Sequence, residues 1–199
     1  WDTTTGLPIS RPLVHADEVN QAHFSPDGKR VATASNDNTA RLWSVGTGVP
    51  ITPPLPHADD VLRVVFSADG RRVATTSKKQ DARVWDAMTG KPLTGYLEHH
   101  DQVTAISFSS DGQFVATGCK DGNVRLWSVG SGKLHGPLMP HPGVIQFVEF
   151  HPDGRHLLTT SRPTAQADGT EARIWDLAAN QPRPMFLEGA VARHAQFIP

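Results

Sequence analysis

Four histidines, His15, His57, His99 and His141, follow one another at intervals of 42 residues. Each is trailed by a threonine (Thr33, Thr75, Thr117, Thr159) and then a tryptophan (Trp43, Trp85, Trp127, Trp175). Imidazoles and hydroxyls beside carboxylates are the groups of acid–base and nucleophilic chemistry, and imidazoles also ligate metals. Periodicity argues for a structural role instead. Groups repeated at a fixed interval belong to separate copies of one unit, so each imidazole faces its own threonine and tryptophan and the four do not converge. His99-His100-Asp101 is a small ligand-type cluster, but His99 is already one of the periodic set, and structural zinc needs four closely held ligands. Gly130-Ser131-Gly132-Lys133 departs from a phosphate loop: Trp127 stands five residues before Gly132 where Gly is needed, and Leu134 replaces the Ser or Thr. Neither a G-x-S-x-G elbow nor an H-E-x-x-H helix is present, and kinase catalytic signatures are missing. Gln21, His23, Arg63 and Glu149 are too scattered to assign a mechanism. The chain is expected to be no enzyme and to use neither metal nor cofactor.

The elements that position these groups are short. Val19–Phe24, Arg30–Ser35 and Ala40–Trp43 are β-like runs, separated by Ser25-Pro26-Asp27-Gly28 and Asn36-Asp37-Asn38-Thr39, both rich in turn formers. The meander repeats. Phe24, Phe66, Phe108 and Phe150 keep the same 42-residue spacing as the histidines, and the turn recurs at 67–70, 109–112 and 151–154. Proline-spotted segments follow each tryptophan at 49–56, 91–98, 133–140 and 181–188, with another at 7–14. Each is read as a fourth, outer strand, because proline cannot donate to a ladder and belongs on edges. The second strands, such as Val31-Ala32-Thr33-Ala34-Ser35, are small or apolar at nearly every position, which fits sheets covered on both faces. Four-stranded antiparallel sheets stacked radially make a β-propeller, so an all-β propeller is the expected fold.

Lys and Arg number 19 against 20 Asp and Glu, a formal charge of −1, which argues against a broad nucleic-acid surface. Arg41, Arg83, Arg125 and Arg173 each lie two before a tryptophan, inside third strands, and are read as braces to backbone or carboxylates. Cys119 is the one cysteine, so no intrachain disulfide is possible, as suits a reducing, cytoplasmic setting. No apolar run reaches membrane-spanning length.

With a His before the first strand, the F-S-x-D-G turn, T-x-S-x-D-x-T, and R-x-W-D/S closing the third strand, the chain resembles the WD-repeat β-propeller family. Trp1-Asp2, Trp85-Asp86 and Trp175-Asp176 keep the dipeptide, whereas Trp43-Ser44 and Trp127-Ser128 do not. The wording T-G-x-P-L-T, P-P-L-x-H and F-S-P-D-G-R-R-V-A-T further resembles bacterial arrays fused to Ser/Thr protein kinases. The family resemblance implies a hydrogen-bonded tetrad in each blade. Its members are His15, Thr33, Asp37 and Trp43 in the first and His99, Thr117, Asp121 and Trp127 in the third. The second has His57, Thr75 and Trp85 with Lys79 at the aspartate position. The fourth has His141, Thr159 and Trp175 with Asp168 displaced by an insertion. Blades one and three are thus expected to be the more rigid.

The resemblance also implies a partner-binding loop face: Glu18, Asp60, Gln102 and Val144; Asn20, Leu62, Thr104 and Gln146; and Asn36, Lys78 and Lys120. The insertion within Arg162–Gly169 is expected as a loop on that face. Blades are expected at 15–56, 57–98, 99–140 and 141–188, with 1–14 ending a preceding blade and 189–199 opening a following one. Four blades plus orphan strands would form an open arc, a piece of a longer ring, prone to self-association. The implied function is a protein-interaction scaffold. The alternative is a sensor or substrate-docking module of a larger signalling enzyme, such as a Ser/Thr kinase. No nucleic acid or membrane insertion is expected.

Overall fold

Proline and turn residues cut this chain into short extended runs, and the computed structural model, which describes residues 2–163, 171–178 and 184–186, builds every element from them. The first sheet contains β1 (Val19–Phe24), β2 (Arg30–Ser35), β3 (Thr39–Ser44) and β4 (Leu55–Pro56). The second has β5 (Val61–Phe66), β6 (Arg72–Ser77), β7 (Asp81–Asp86) and β8 (Leu97–Glu98). β9 (Val103–Phe108), β10 (Phe114–Cys119), β11 (Asn123–Ser128) and β12 (Met139–Pro140) form the third. The fourth consists of β13 (Gly143–Phe150), β14 (His156–Pro163), β15 (Glu171–Asp176) and β16 (Pro184–Phe186). In every sheet the strands lie in chain order and pair antiparallel. The chain is an all-β propeller of four-stranded blades, arranged as an open arc.

The turn between first and second strands closes the same way in three blades. Ser25 Oγ donates to Asp27 Oδ1 and accepts from the Arg30 amide, and Gly28, at φ +65°, donates to the Ser25 carbonyl at 2.9 Å. A left-handed residue is needed there, which favours glycine.

The outer strands are shorter than the sequence suggests. Trp43 bridges Pro50 and pairing then lapses through Pro53-Pro54, resuming only at Leu55–Pro56. The prolines that mark an edge also withhold the N–H groups a longer ladder requires. Residues 7–14 form no strand. In blade four, Arg162 and Pro163 extend β14, opposite Val144 and Gly143, rather than starting a loop. Asp168 and the segment 189–199 lie outside the described residues.

The hydrophobic core lies between blades rather than within them. Ala32, Leu42 and Leu55 of the first blade meet Val61, Val64, Phe66 and Trp85 of the second. Val84 and Leu97 then meet Ile106, Phe108 and Trp127, and beyond them Leu126 and Met139 meet Ile145, Phe150 and Trp175. A sheet covered on both faces needs apolar residues throughout, and every residue of β2 after Arg30 is buried. Phe24 shows what the neighbour supplies. It is 63 % exposed on the open face of blade one, while its counterparts Phe66 and Phe150 are 7 % exposed. No helix among the described residues is long and apolar enough to cross a membrane.

Candidate functional site

In each blade the buried threonine of the second strand sits between an indole and an imidazole. Trp43 Nε1–H donates to Thr33 Oγ1 at 2.8 Å, and His15 Nε2 lies 2.6 Å from the same oxygen. The corresponding distances are 2.8 and 2.7 Å at Thr75, 2.9 and 2.7 Å at Thr117, and 2.9 and 2.8 Å at Thr159. Since the indole can only donate and Nδ1 faces an acceptor in every blade, Nδ1 carries the imidazole proton and Nε2 accepts from the hydroxyl.

The acceptor for Nδ1 differs between blades, and here the structure corrects the sequence reading twice. In blade one it is Asp37, at 2.8 Å, held by Thr39 Oγ1 at 2.6 Å and by the Ala16 amide. These hydrogen bonds outweigh burial and hold the Asp37 carboxyl down at about 2. In blade two Lys79 does stand at the expected aspartate position, but Asp81 replaces the missing group: its Oδ1 lies 3.0 Å from His57 Nδ1 and accepts from Ser77 Oγ at 2.7 Å. Asp81 occupies the position of Thr39, whose hydroxyl already touches the Asp37 carboxylate, so a carboxylate at either position reaches the histidine. In blade three Asp121 does not bond His99. Its two oxygens are taken by Arg125, at 3.2 and 2.6 Å, and His99 Nδ1–H donates to the Leu97 carbonyl at 2.8 Å. Asn123 stands where Thr39 would hold the aspartate, leaving it free for the guanidinium. His141 Nδ1–H likewise donates to a carbonyl, that of Met139, at 3.1 Å. Burial and then the nearby Arg125 and Arg173 push His99 and His141 down to about 4. The carboxylate–imidazole clamp is therefore a feature of blades one and two, not one and three.

The four third-strand arginines have different partners. Arg41 Nη1–H reaches the Val14 carbonyl and Arg173 Nη1–H the Pro140 carbonyl, each just before the blade's own histidine. Arg83 lies over the rings of Trp85 and Tyr96 at 4.8 and 4.5 Å and donates to the Thr94 carbonyl.

A second set of residues gathers on the inner side of the arc, where the first strands of successive blades meet. Each first strand carries a register shift at one place. Asn20, Leu62, Thr104 and Gln146 are the residues passed over in pairing. A bulge leaves one residue unpaired and re-aims its side chain. Asn20 Nδ2–H donates to the Val61 carbonyl of the next blade at 2.9 Å, and Thr104 Oγ1–H to the Ile145 carbonyl at 2.6 Å. Together with Gln102, Arg63 and Val103, the four bulge residues line an open cleft of about 340 Å³. Arg63 is exposed and has no hydrogen bond or ion pair among the described residues.

The other loop-face residues border this set. Asn36 Oδ1 accepts from Asn20 at 2.6 Å, and Lys78 pairs with Asp60 at 3.3 Å. Glu18 and Lys120 are exposed, while Val144 lies within β13 opposite Arg162. The four bulge residues are a set that the family resemblance already groups on the partner-binding face, and Arg63 is one of the residues too scattered in sequence to assign a mechanism; the register shift and the shared cleft are what the structure adds. His99 of the His99-His100-Asp101 cluster is occupied by Thr117 and Leu97.

A family profile described as "WD domain, G-beta repeat" matches residues 8–44, 50–86 and 90–128, together more than half of the chain. Ribosome assembly protein 4 of Chaetomium thermophilum is 44 % identical over 46 residues, covering 22 % of this chain and 9 % of that protein. The chain thus matches less than a tenth of the length of that relative. Among solved structures, the computationally designed Ika4 protein superposes with a TM-score of 0.74 at 20 % identity, over 87 % of this chain and 99 % of that one. The designed Ika8 protein gives a TM-score of 0.79 at 27 % identity, over 93 % of this chain and 54 % of that one.

Proposed function

We propose that this chain, which belongs to the WD domain, G-beta repeat family, is a non-enzymatic scaffold that docks a protein partner in the cleft between its first strands. The observation that carries this reading is the bulge repeated at one place in all four first strands, which directs Asn20, Leu62, Thr104 and Gln146 to one concave surface of about 340 Å³. Function on rigid scaffolds concentrates where backbone irregularity re-aims side chains. The lining is polar and rich in donors: Arg63, Gln102 and Gln146 surround Leu62. Such a surface suits a protein segment that brings a carboxylate to the Arg63 guanidinium and carbonyls to the amides.

The test is selection of a random peptide library on the immobilised chain. Wild type is expected to enrich acidic peptides, and Arg63→Ala combined with Gln102→Ala to weaken them about tenfold or more with the melting temperature unchanged. Selected peptides that bind the double variant as tightly as wild type would remove the cleft from the reading.

A further inference from the structure

We propose that the turn between β13 and β14 is a binding site for a first-row divalent transition ion, ligated by His151, Asp153 and His156. The same corner in the other blades sets the comparison. There a serine (Ser25, Ser67, Ser109) donates its hydroxyl proton to the turn aspartate, at 2.6 Å in blades two and three. The residue opening the second strand is Arg30, Arg72 or Phe114. In blade one the Arg30 guanidinium already stands 3.4 Å from Asp27 Oδ2. Blade four changes both positions at once, to His151 and His156, and keeps the aspartate.

The backbone brings the two imidazoles together. The His151 amide donates to the His156 carbonyl at 2.9 Å, and the Gly154 amide to the His151 carbonyl at 2.9 Å. Asp153 Oδ1 accepts from the amides of Arg155 and His156, at 2.8 and 3.1 Å, which fixes the carboxylate and leaves Oδ2 facing the rings. His156 Nδ1 lies 2.7 Å and His151 Nδ1 3.0 Å from that one oxygen. The three ligand atoms all fall within 4.8 Å of one another.

His151 Nδ1 accepts from the Asp153 amide at 3.1 Å, and a bound ion would take that lone pair in place of the amide proton. With its proton on Nδ1, His156 donates to Asp153 Oδ2, and a cation in the corner would take the place of that proton. Two imidazoles and a carboxylate are a donor set for zinc or a similar ion. Metal–ligand lengths of about 2.0–2.2 Å require only that the side chains open slightly, and three protein ligands leave a position for water. The nearest other cation, Arg155, is neutralised by Asp176, with Nε–H donating at 2.9 Å. The ligand side chains are about one-third exposed, and His151 borders an open cleft of about 270 Å³ through which an ion enters without unfolding.

The test is calorimetric titration of the full chain with zinc chloride. His151→Ser with His156→Arg installs the residue types that blade one uses at this corner, and is chosen over Asp153 variants because that carboxylate also caps the turn. Wild type is expected to bind one zinc at this site, the double variant to lose it or weaken at least about tenfold, and His100→Ala to bind as wild type. Should circular dichroism show the double variant unfolded, His156→Phe, the blade-three residue type, supplies the same reading. No zinc uptake by wild type, equal affinity in the His151/His156 variants, or an equal loss in His100→Ala would overturn the proposal.

Discussion

The carboxylate of Asp81 stands 3.0 Å from His57 Nδ1, two positions further along its blade than the carboxylate of Asp37 that meets His15. The clamp is thus defined by where an oxygen can reach rather than by one sequence position. Asp81→Ala is expected to cost about 1.5–3 kcal/mol, the range for hydrogen bonds to a charged group, and to remove the protected His57 imidazole proton from the NMR spectrum. Asp121→Ala also destabilises, by stripping the buried Arg125 of its counter-charge, but the His99 imidazole signal persists because Leu97 holds that proton.

Acid is expected to attack blades three and four from pH 6.5 downward. Folded His99 and His141 titrate at about 4, depressed by burial and by Arg125 and Arg173, against about 6.5 for an unfolded histidine. The unfolded chain therefore binds more protons between these values. The contribution of these two histidines is full above pH 6.5, falls as pH drops and is lost by about pH 4, with roughly 3 kcal/mol at stake per histidine. Denaturant midpoints followed from pH 7 to 4 check this. His99→Gln and His141→Gln, uncharged throughout, should each flatten the profile.

Gly118 is expected to be irreplaceable for lack of space rather than for backbone freedom. A Cβ there would meet Ile145 Cγ2 and Cβ and, at 3.0 Å, Val148 Cγ2, all across the seam between blades three and four. Ala34, Thr76 and Thr160 stand at this position in the other blades, so the repeat pattern gives no warning. Gly118→Ala should cost roughly 1–3 kcal/mol by overpacking. Ile145→Ala should be less harmful in that background than alone, and a double-mutant cycle in denaturant measures the difference.

The architecture was legible because the phenylalanine, histidine and tryptophan of each blade recur in step, and packing between identical units demands that they do. What was illegible depends on neighbours and on reach. The outer strands were read too long because prolines mark an edge and also interrupt its ladder. Asp81 lies two residues beyond the motif's aspartate position, and nothing local in the sequence shows that Arg125 takes the Asp121 carboxylate from His99. Asn20, Leu62, Thr104 and Gln146 are grouped by the family resemblance, but they share no residue type, so the bulge that re-aims them shows only in the register. In the sequence residues 151–154 read as one more copy of the turn, and only the hairpin pairing brings the His151 and His156 rings onto one oxygen.

The bulges also grade the seams between blades. Asn20 and Thr104 each donate to a carbonyl of the next blade, Val61 and Ile145, whereas Leu62, at the same place in blade two, has no donor to offer Val103. Thr104→Val should therefore cost about 1 kcal/mol, and Leu62→Asn should gain about 0.5–1.5 kcal/mol by supplying the absent bond, both read from chemical denaturation. Hydrogen exchange locates the effect. In wild type the β5–β9 seam should open before the β1–β5 and β9–β13 seams, and Leu62→Asn should bring it level. An unchanged midpoint for Leu62→Asn beside a lowered one for Thr104→Val would mean that packing alone sets the strength of the second seam.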